Sequence, residues 1–204
     1  MKKITKVLST AALVFFATAC GGNKVNGSAA DGSTDALTVD KLLEAPEGLV
    51  GDTITIEGVC SHLCSHGGVK AFIQGYADNA QLRCEAFPLM GEPFPASTIH
   101  HPMQVTGVLR EQRIDNALIE EMERQYNEQI QMLAEQEGKE SAELAAAETV
   151  GCETERAAQG QQDLTTFKER MDDYRARIAD REAKEGKAFL SFYYLDAMSY
   201  DILE

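Results

Sequence analysis

Thiol and imidazole side chains alternate within one short segment of the chain. They are Cys60, His62, Cys64 and His66. If this segment stays extended, the four side chains share one face in steps of about 6.6 Å, too far apart to bind one ion. A turn at the next two residues, Gly67 and Gly68, would fold part of the set together. With Cys84 from a later strand, the loop would then offer the mixed sulfur and nitrogen ligands that zinc and copper(I) prefer.

Two other interpretations of the same residues stay open. In an oxidising compartment Cys64 would form a disulfide with Cys60 or with Cys84 and so staple the rim of the fold. In the second interpretation the histidines are ordinary loop residues without a role. The spacing of the four residues matches no standard zinc finger. The segment is therefore a candidate metal or disulfide site.

No set of residues in the sequence indicates catalysis. A nucleophile cannot be matched with a base, and the phosphate-binding patterns GxxxxGK and GxGxxG are absent from the sequence. Carboxylates are plentiful, but 33 acidic residues among 204 indicate only an acidic surface. We therefore predict a protein that is not an enzyme and has no catalytic residues.

The start of the chain has the features of a secretory signal. Three lysines within the first six residues precede an apolar run over 7–16, which is too short to span a bilayer. Small residues then lead to Cys20, an order that resembles the lipobox of bacterial lipoproteins, in which the cysteine thiol is diacylated. We predict a lipoprotein signal peptide over 1–19 and lipid attachment at Cys20. The alternative is ordinary cleavage after Ala19, which would leave a free thiol or a disulfide partner.

A chain that begins at Cys20 is more acidic than the whole sequence, which has a formal net charge of −14. It keeps all 33 acids but loses three of the 19 bases. Such a surface repels phosphodiester backbones and anionic headgroups, so we expect no nucleic-acid partner and a membrane contact made by the lipid alone. Glycines follow Cys20 in place of an acidic run, which resembles retention at the periplasmic face of the outer membrane.

Short strands must position the candidate residues. After a flexible, glycine-rich tether over 20–36, Thr38 caps a short helix over 38–43. Alternating side chains then predict four strands, and an aromatic-rich fifth strand follows from Ala188. The four strands lie at 53–59, 69–74, 82–86 and 103–109. The thiols and imidazoles would lie where the first strand turns into the second.

Between the fourth and fifth strands the hydrophobic period changes to 3.6 residues. Apolar residues step by three or four from Ile119 to Leu133 and again from Leu164 to Ile178, with glycines between the two runs. This pattern predicts an antiparallel, coiled-coil-like helical hairpin over 116–186. The expected fold is α+β, with a five-stranded barrel made by 37–115 and 187–204.

Three segments of the expected barrel carry a family resemblance. They are HLCSHGGVKAFI (62–73), VTGVLREQRI (105–114) and FYYLDAMSYDI (192–202). They resemble the OB-fold and, within it, a group of uncharacterised exported proteins and lipoproteins of Bacteroides-like bacteria. That group carries the pattern His, any, Cys, any, His, small, Gly, matched here by His62 to Gly68, and often has a further cysteine where this chain has Ala71. The resemblance implies an OB-like barrel and no particular activity.

Two functions follow as hypotheses. The first is a membrane-anchored envelope lipoprotein that acts as a non-enzymatic binding module, with the acidic helical insertion contacting an envelope protein. The alternative is a metal-binding or thiol-redox lipoprotein that uses the Cys/His loop 60–66, with zinc or copper as its metal.

Overall fold

A computed structural model of the protein describes residues 36–64, 67–77, 80–87, 89–138, 140–141 and 152–203. The predicted signal peptide 1–19, the lipid attachment residue Cys20 and nearly all of the tether 20–36 lie outside these residues, as does His66. Among the helices that the structure describes, none has the length and apolar character needed to cross a membrane.

Five of the six described strands form a closed barrel. The strands are β1 (Leu37–Thr38), β2 (Thr53–Leu63), β3 (Lys70–Gln74), β4 (Gln81–Glu85), β5 (Pro102–Ile114) and β6 (Leu190–Ile202). Strands β2, β3 and β4 form an antiparallel meander, and β6 lies parallel to β4 and antiparallel to β5. Because β5 also pairs with β2, the barrel is closed; the two-residue β1 pairs only with β2. This closed, mixed barrel with added helices confirms the α+β class and is consistent with an OB-like barrel.

Alternating side chains fill the barrel, as the period of two predicts. Ile56 and Cys60 of β2 are fully buried, and so are Val105 and Leu109 of β5. The short helix α1 (Val39–Glu44) packs onto the same core, with Thr38 accepting a hydrogen bond from the Lys41 amide as its N-cap. The prediction of a Thr38-capped helix is therefore confirmed.

Gly107 lies at a close approach between β5 and β6. A Cβ built on this residue would lie 2.3 Å from the carbonyl oxygen of Asp196, and the β5–β6 register shifts at the same place, between Thr106 and Gly107. Only glycine lets the two longest strands come this close, and such irregularities let a sheet curl into a barrel.

Three described helices lie between β5 and β6 in the chain. They are α2 (Asn116–Glu137), α3 (Glu153–Ala158) and α4 (Phe167–Glu185). Asp115 caps α2, and a capping box formed by Thr166 and Glu169 starts α4. Both α2 and α4 end at a left-handed glycine.

A second, smaller apolar cluster joins these helices to the barrel. Tyr174 and Ile178 of α4 and Ile119 of α2 pack against Ile114 and Leu190, which end β5 and begin β6. The helices thus cover one part of the outer barrel wall, and this is where the structure forms its polar cavity.

Candidate functional site

A β-bulge separates the alternating thiols and imidazoles. Cys60 lies opposite Ile73, but His62 lies opposite Phe72, so Ser61 is an extra residue in β2. Cys60 and Leu63 therefore both belong to the barrel core, whereas the His62 ring packs on Phe72 with centroids 5.9 Å apart. The single shared face of an unbroken strand does not form, because the bulge reverses the alternation after Cys60.

Cys60 and Cys84 lie together inside the barrel. Both are fully buried, and burial raises the pKa of each thiol; the nearby Cys60 raises the pKa of Cys84 further. The Cys60 sulfur is 3.8 Å from the Thr98 hydroxyl oxygen and 3.8 Å from the His62 carbonyl oxygen. Since the thiolate is the form that binds metal and attacks disulfides, burial suppresses both reactions at these two residues.

None of the four cysteines in the described ranges forms a disulfide, so Cys64 is bonded neither to Cys60 nor to Cys84. Instead the Cys64 backbone closes the predicted turn: its amide donates to the Lys70 carbonyl at 2.9 Å, and its carbonyl accepts from the Gly68 amide at 3.2 Å. Gly67 and Gly68 both have positive φ, as this turn requires.

No metal-binding group forms among the residues that the structure places. Nowhere in those ranges do three or more His, Cys, Asp or Glu side chains converge on a common point. His100 and His101 meet this segment through their backbone alone: the His100 amide donates to the Cys60 carbonyl and the His101 carbonyl accepts from the Cys60 amide. Their side chains are exposed.

A polar cavity of about 370 Å³ lies between the outer barrel wall and the helices. Strands β3, β4 and β5 supply one wall, and α2, α3 and α4 supply the other. Its polar lining is Lys70, Arg83, Glu85, Gln112, Glu155, Gln159 and Arg170. This size is within the range of sites that hold small organic ligands.

Arg83 of β4 is the centre of the barrel-side wall. Its guanidinium lies over the Tyr194 ring at 4.8 Å, and its Nε is 3.1 Å from a Glu85 carboxylate oxygen. Its Nη1 donates to Glu155 Oε1 at 3.3 Å and its Nη2 to Gln112 Oε1 at 3.5 Å. With its side chain only 14% exposed, Arg83 is held in one orientation by these four neighbours.

Glu155 joins the helical wall to the barrel wall. The same Oε1 atom also accepts from Lys70 Nζ at 3.2 Å, so one carboxylate oxygen lies between two cations. The helix that carries it, α3, is six residues long and is capped by the Cys152 sulfur, which accepts from the Glu155 amide at 3.3 Å.

A buried hydrogen-bond network fixes the helical wall. Arg170 donates through Nε to Gln161 Oε1 at 2.9 Å and through Nη2 to Gln159 Oε1 at 2.7 Å. The Tyr174 hydroxyl donates to the same Gln159 oxygen at 2.8 Å, and burial raises the Tyr174 pKa, so this proton stays in place at neutral pH. Gln161 in turn donates to the Arg170 carbonyl at 3.0 Å. Satisfied networks of this kind hold side chains rigidly.

An aromatic groove lies on the surface of the helices. The rings of Tyr126 on α2 and Phe167 on α4 stack with centroids 4.1 Å apart and an interplanar angle of 9°. Beside them Arg175 donates to both oxygens of Glu123 at 2.7 Å, which holds the Glu123 pKa below its usual range. The groove has a volume of about 300 Å³.

The sequence interpretation missed the polar cavity. One sequence pattern could have predicted it. Lys70 and Arg83 alternate with inward-facing residues on two neighbouring strands, and this alternation places two cations on the outer wall of the barrel of an acidic protein. The helical wall of the cavity could not be predicted in this way, because no local sequence pattern indicates that Glu155 and Arg170 lie opposite these two cations.

Comparisons of the chain with protein-family models, curated proteins and solved structures give no match.

Proposed function

We propose that the protein is a lipoprotein of the cell envelope, anchored by a lipid on Cys20, that acts as a non-enzymatic binding module. Residues 20–36 are the tether, and the OB-like barrel is the scaffold. The arm that contacts an envelope protein is a helical hairpin over 116–186, inserted between the fourth and fifth barrel strands. The basic start of the chain and the lipobox-like residues before Cys20 support the anchor, and the glycines after Cys20 support the periplasmic face of the outer membrane as its location.

The groove between α2 and α4 is the observation that carries the binding proposal. Tyr126 and Phe167 are both only half-buried although they stack on each other. Aromatic rings that stay accessible between charged neighbours are typical of the anchors of protein interfaces. Glu123 and Lys168, which line the same groove, would surround an inserted side chain with charges of both signs.

The charge of α2 indicates the kind of partner. This helix has six acidic residues and one basic residue, Arg124. An acidic helix beside an apolar groove is complementary to a basic surface with a protruding apolar side chain. We therefore expect an envelope protein with those two features, bound weakly enough to depend on salt.

Photo-crosslinking in living cells tests the partner. A photoreactive amino acid at Asn127, an exposed residue that lines the groove, is expected to capture one envelope protein. The matched control is the same amino acid at Tyr76, which is 65% exposed on the barrel. Phe167→Ala, shown to be folded by its melting temperature, should abolish the product at Asn127. Equal capture at Tyr76, or capture at Asn127 that survives Phe167→Ala, contradicts the proposal.

A further inference from the structure

The cavity between the barrel wall and the helices concentrates positive charge in a strongly acidic protein. Lys70, Arg83 and Arg170 line it, against the carboxylates of Glu85 and Glu155. The whole chain has a formal net charge of −14, so its outer surface repels anions while this cavity gathers three of the 19 basic residues. The three cations outnumber the two carboxylates, and a recessed excess of one sign focuses the local electrostatic potential and raises the local concentration of oppositely charged solutes.

We propose that this cavity is a binding site for a small organic oxyanion, and that Glu155 occupies the position of the ligand's charged group in the structure described here. The site lies beside the aromatic groove, with which it shares the lining residue Phe167, and its ligand is bound independently of the protein partner. The ligand would place a carboxylate or phosphate between Lys70 and Arg83, where the Glu155 carboxylate now lies.

The contacts of the Glu155 carboxylate are long enough that a ligand oxyanion could replace it. Both cations share its Oε1 atom, at 3.2 Å from Lys70 Nζ and 3.3 Å from Arg83 Nη1. Charge-assisted hydrogen bonds are usually 2.7–2.9 Å long, and an arginine binds an oxyanion best through two parallel bonds. A free oxyanion can place a different oxygen against each cation. The Glu155 carboxylate, which is attached to the first turn of α3, places one oxygen against both cations. A ligand can therefore make better contacts than Glu155 makes.

The rest of the cavity explains why the ligand would be organic. A bare inorganic ion would fill only a small part of about 370 Å³. Ile114, Met122 and Met171 also line the cavity, and these apolar side chains suit a carbon skeleton. Gln112 and Gln159 add amide groups that can hydrogen-bond to hydroxyl or carbonyl substituents.

The rigid parts of the site are already in place. Arg83 is oriented by the Tyr194 ring and by Glu85, and Arg170 is oriented by two glutamines. Only the Glu155 side chain has to move for a ligand to enter between Lys70 and Arg83. Preorganised cations keep the ordering cost of binding low.

Isothermal titration calorimetry of the full-length protein in detergent tests the proposal, with citrate as the organic oxyanion and glycerol as the neutral probe. Citrate is expected to bind with a stoichiometry of one, whereas glycerol should give no heat. Lys70→Gln and Arg83→Gln should each weaken citrate binding at least tenfold. Glu155→Gln should tighten it severalfold, because the competing charge is removed. Inorganic phosphate should bind more weakly than citrate, since it leaves the apolar part of the cavity empty.

The matched control is Lys41→Gln, which removes an exposed lysine on α1 that forms an ion pair with Glu44. It should leave citrate binding unchanged. If Arg83→Gln fails to fold, Lys70→Gln gives the answer, because Lys70 lies at the edge of the cavity with 29% of its side chain exposed. Absence of citrate binding in both the wild type and Glu155→Gln overturns the proposal. Binding that Lys70→Gln leaves intact, or that Lys41→Gln weakens equally, also overturns it.

Discussion

Glu155 on α3 and Lys70 on β3 are 85 positions apart in the sequence, yet their side chains form an ion pair of 3.2 Å. Arg83 of the neighbouring strand completes the contact. Since α3 has only six residues, contacts with the rest of the protein, and not helix propensity, must stabilise it, and the ion pairs of Glu155 are among them.

Glu155→Gln should therefore loosen α3 without unfolding the barrel. Partly exposed ion pairs contribute about 0–1 kcal/mol, so the global free energy of unfolding should fall by no more than about 1 kcal/mol. Hydrogen exchange of the Arg156 and Gln159 amides, which both bond within this helix, should become several times faster. Glu153→Gln, on the exposed face of the same helix, is the control and should leave these rates unchanged. Equal rates in Glu155→Gln and wild type would mean that other contacts hold α3.

Gly107→Ala should destabilise the whole barrel. The new methyl group would lie 2.3 Å from the Asp196 carbonyl oxygen, so β5 and β6 would have to separate. Overpacking of this kind costs about 1–3 kcal/mol, which urea denaturation would show as a lower midpoint at an unchanged slope. Gly48→Ala is the matched control, because nothing lies within 4 Å of its Cβ position and its φ is not positive. A Gly107→Ala protein as stable as Gly48→Ala would contradict the close approach.

The buried thiols should make stability depend on alkaline pH. An ordinary cysteine has a pKa of 9.0, and burial raises the pKa of both Cys60 and Cys84 above it. Above pH 9 the unfolded chain therefore releases protons that the folded chain keeps, so the free energy of unfolding falls as pH rises. The contribution is up to about 1.4 kcal/mol per pH unit for each thiol.

The free energy of unfolding, measured in urea at pH 8, 9 and 10, checks this dependence. The variant Cys60→Ala/Cys84→Ala should lose less stability over the same interval, because its unfolded state has two fewer thiols to ionise. Parallel pH profiles for the two proteins would show that the thiols do not contribute.

Cys20→Ser should release the protein from the membrane. If Cys20 carries the lipid, cells fed a tagged fatty acid should label the wild type, and Cys20→Ser should remove the label and move the protein to the soluble fraction. Cys152→Ser, which changes a half-buried thiol elsewhere, is the control and should keep both the label and the membrane location. A labelled Cys20→Ser protein would refute the assignment of the lipid to this residue.

The barrel strands could be predicted from the sequence because their buried apolar residues alternate regularly with polar residues. Ile54 and Ile56, or Met103 and Val105, show the period of two without any knowledge of their partners. The length of β5 was not predicted: the strand continues past residue 109 to Ile114, because its last residues pair with β6.

The candidate site depended on longer-range information. The bulge at Ser61 is a property of how β2 pairs with β3, so no pattern within the Cys/His segment could reveal that Cys60 and His62 face opposite ways. The polar cavity likewise depends on how Glu155 and Arg170 approach β3 and β4 in space. Charged residues on helices are not buried with a fixed period, so the sequence pattern does not predict which residues they pair with.

The pairing of β6 with both β4 and β5 also sets an order of events for a newly made chain. When Arg83 of β4 leaves the ribosome, its eventual neighbour Tyr194 has not yet been synthesised, and all the residues of α2, α3 and α4 come between them. Until β6 arrives, β4 and β5 each have an open edge that another chain can extend. Contacts between residues so distant along the chain form slowly. The incomplete sheet of the nascent chain is therefore the intermediate that most needs a chaperone to prevent aggregation.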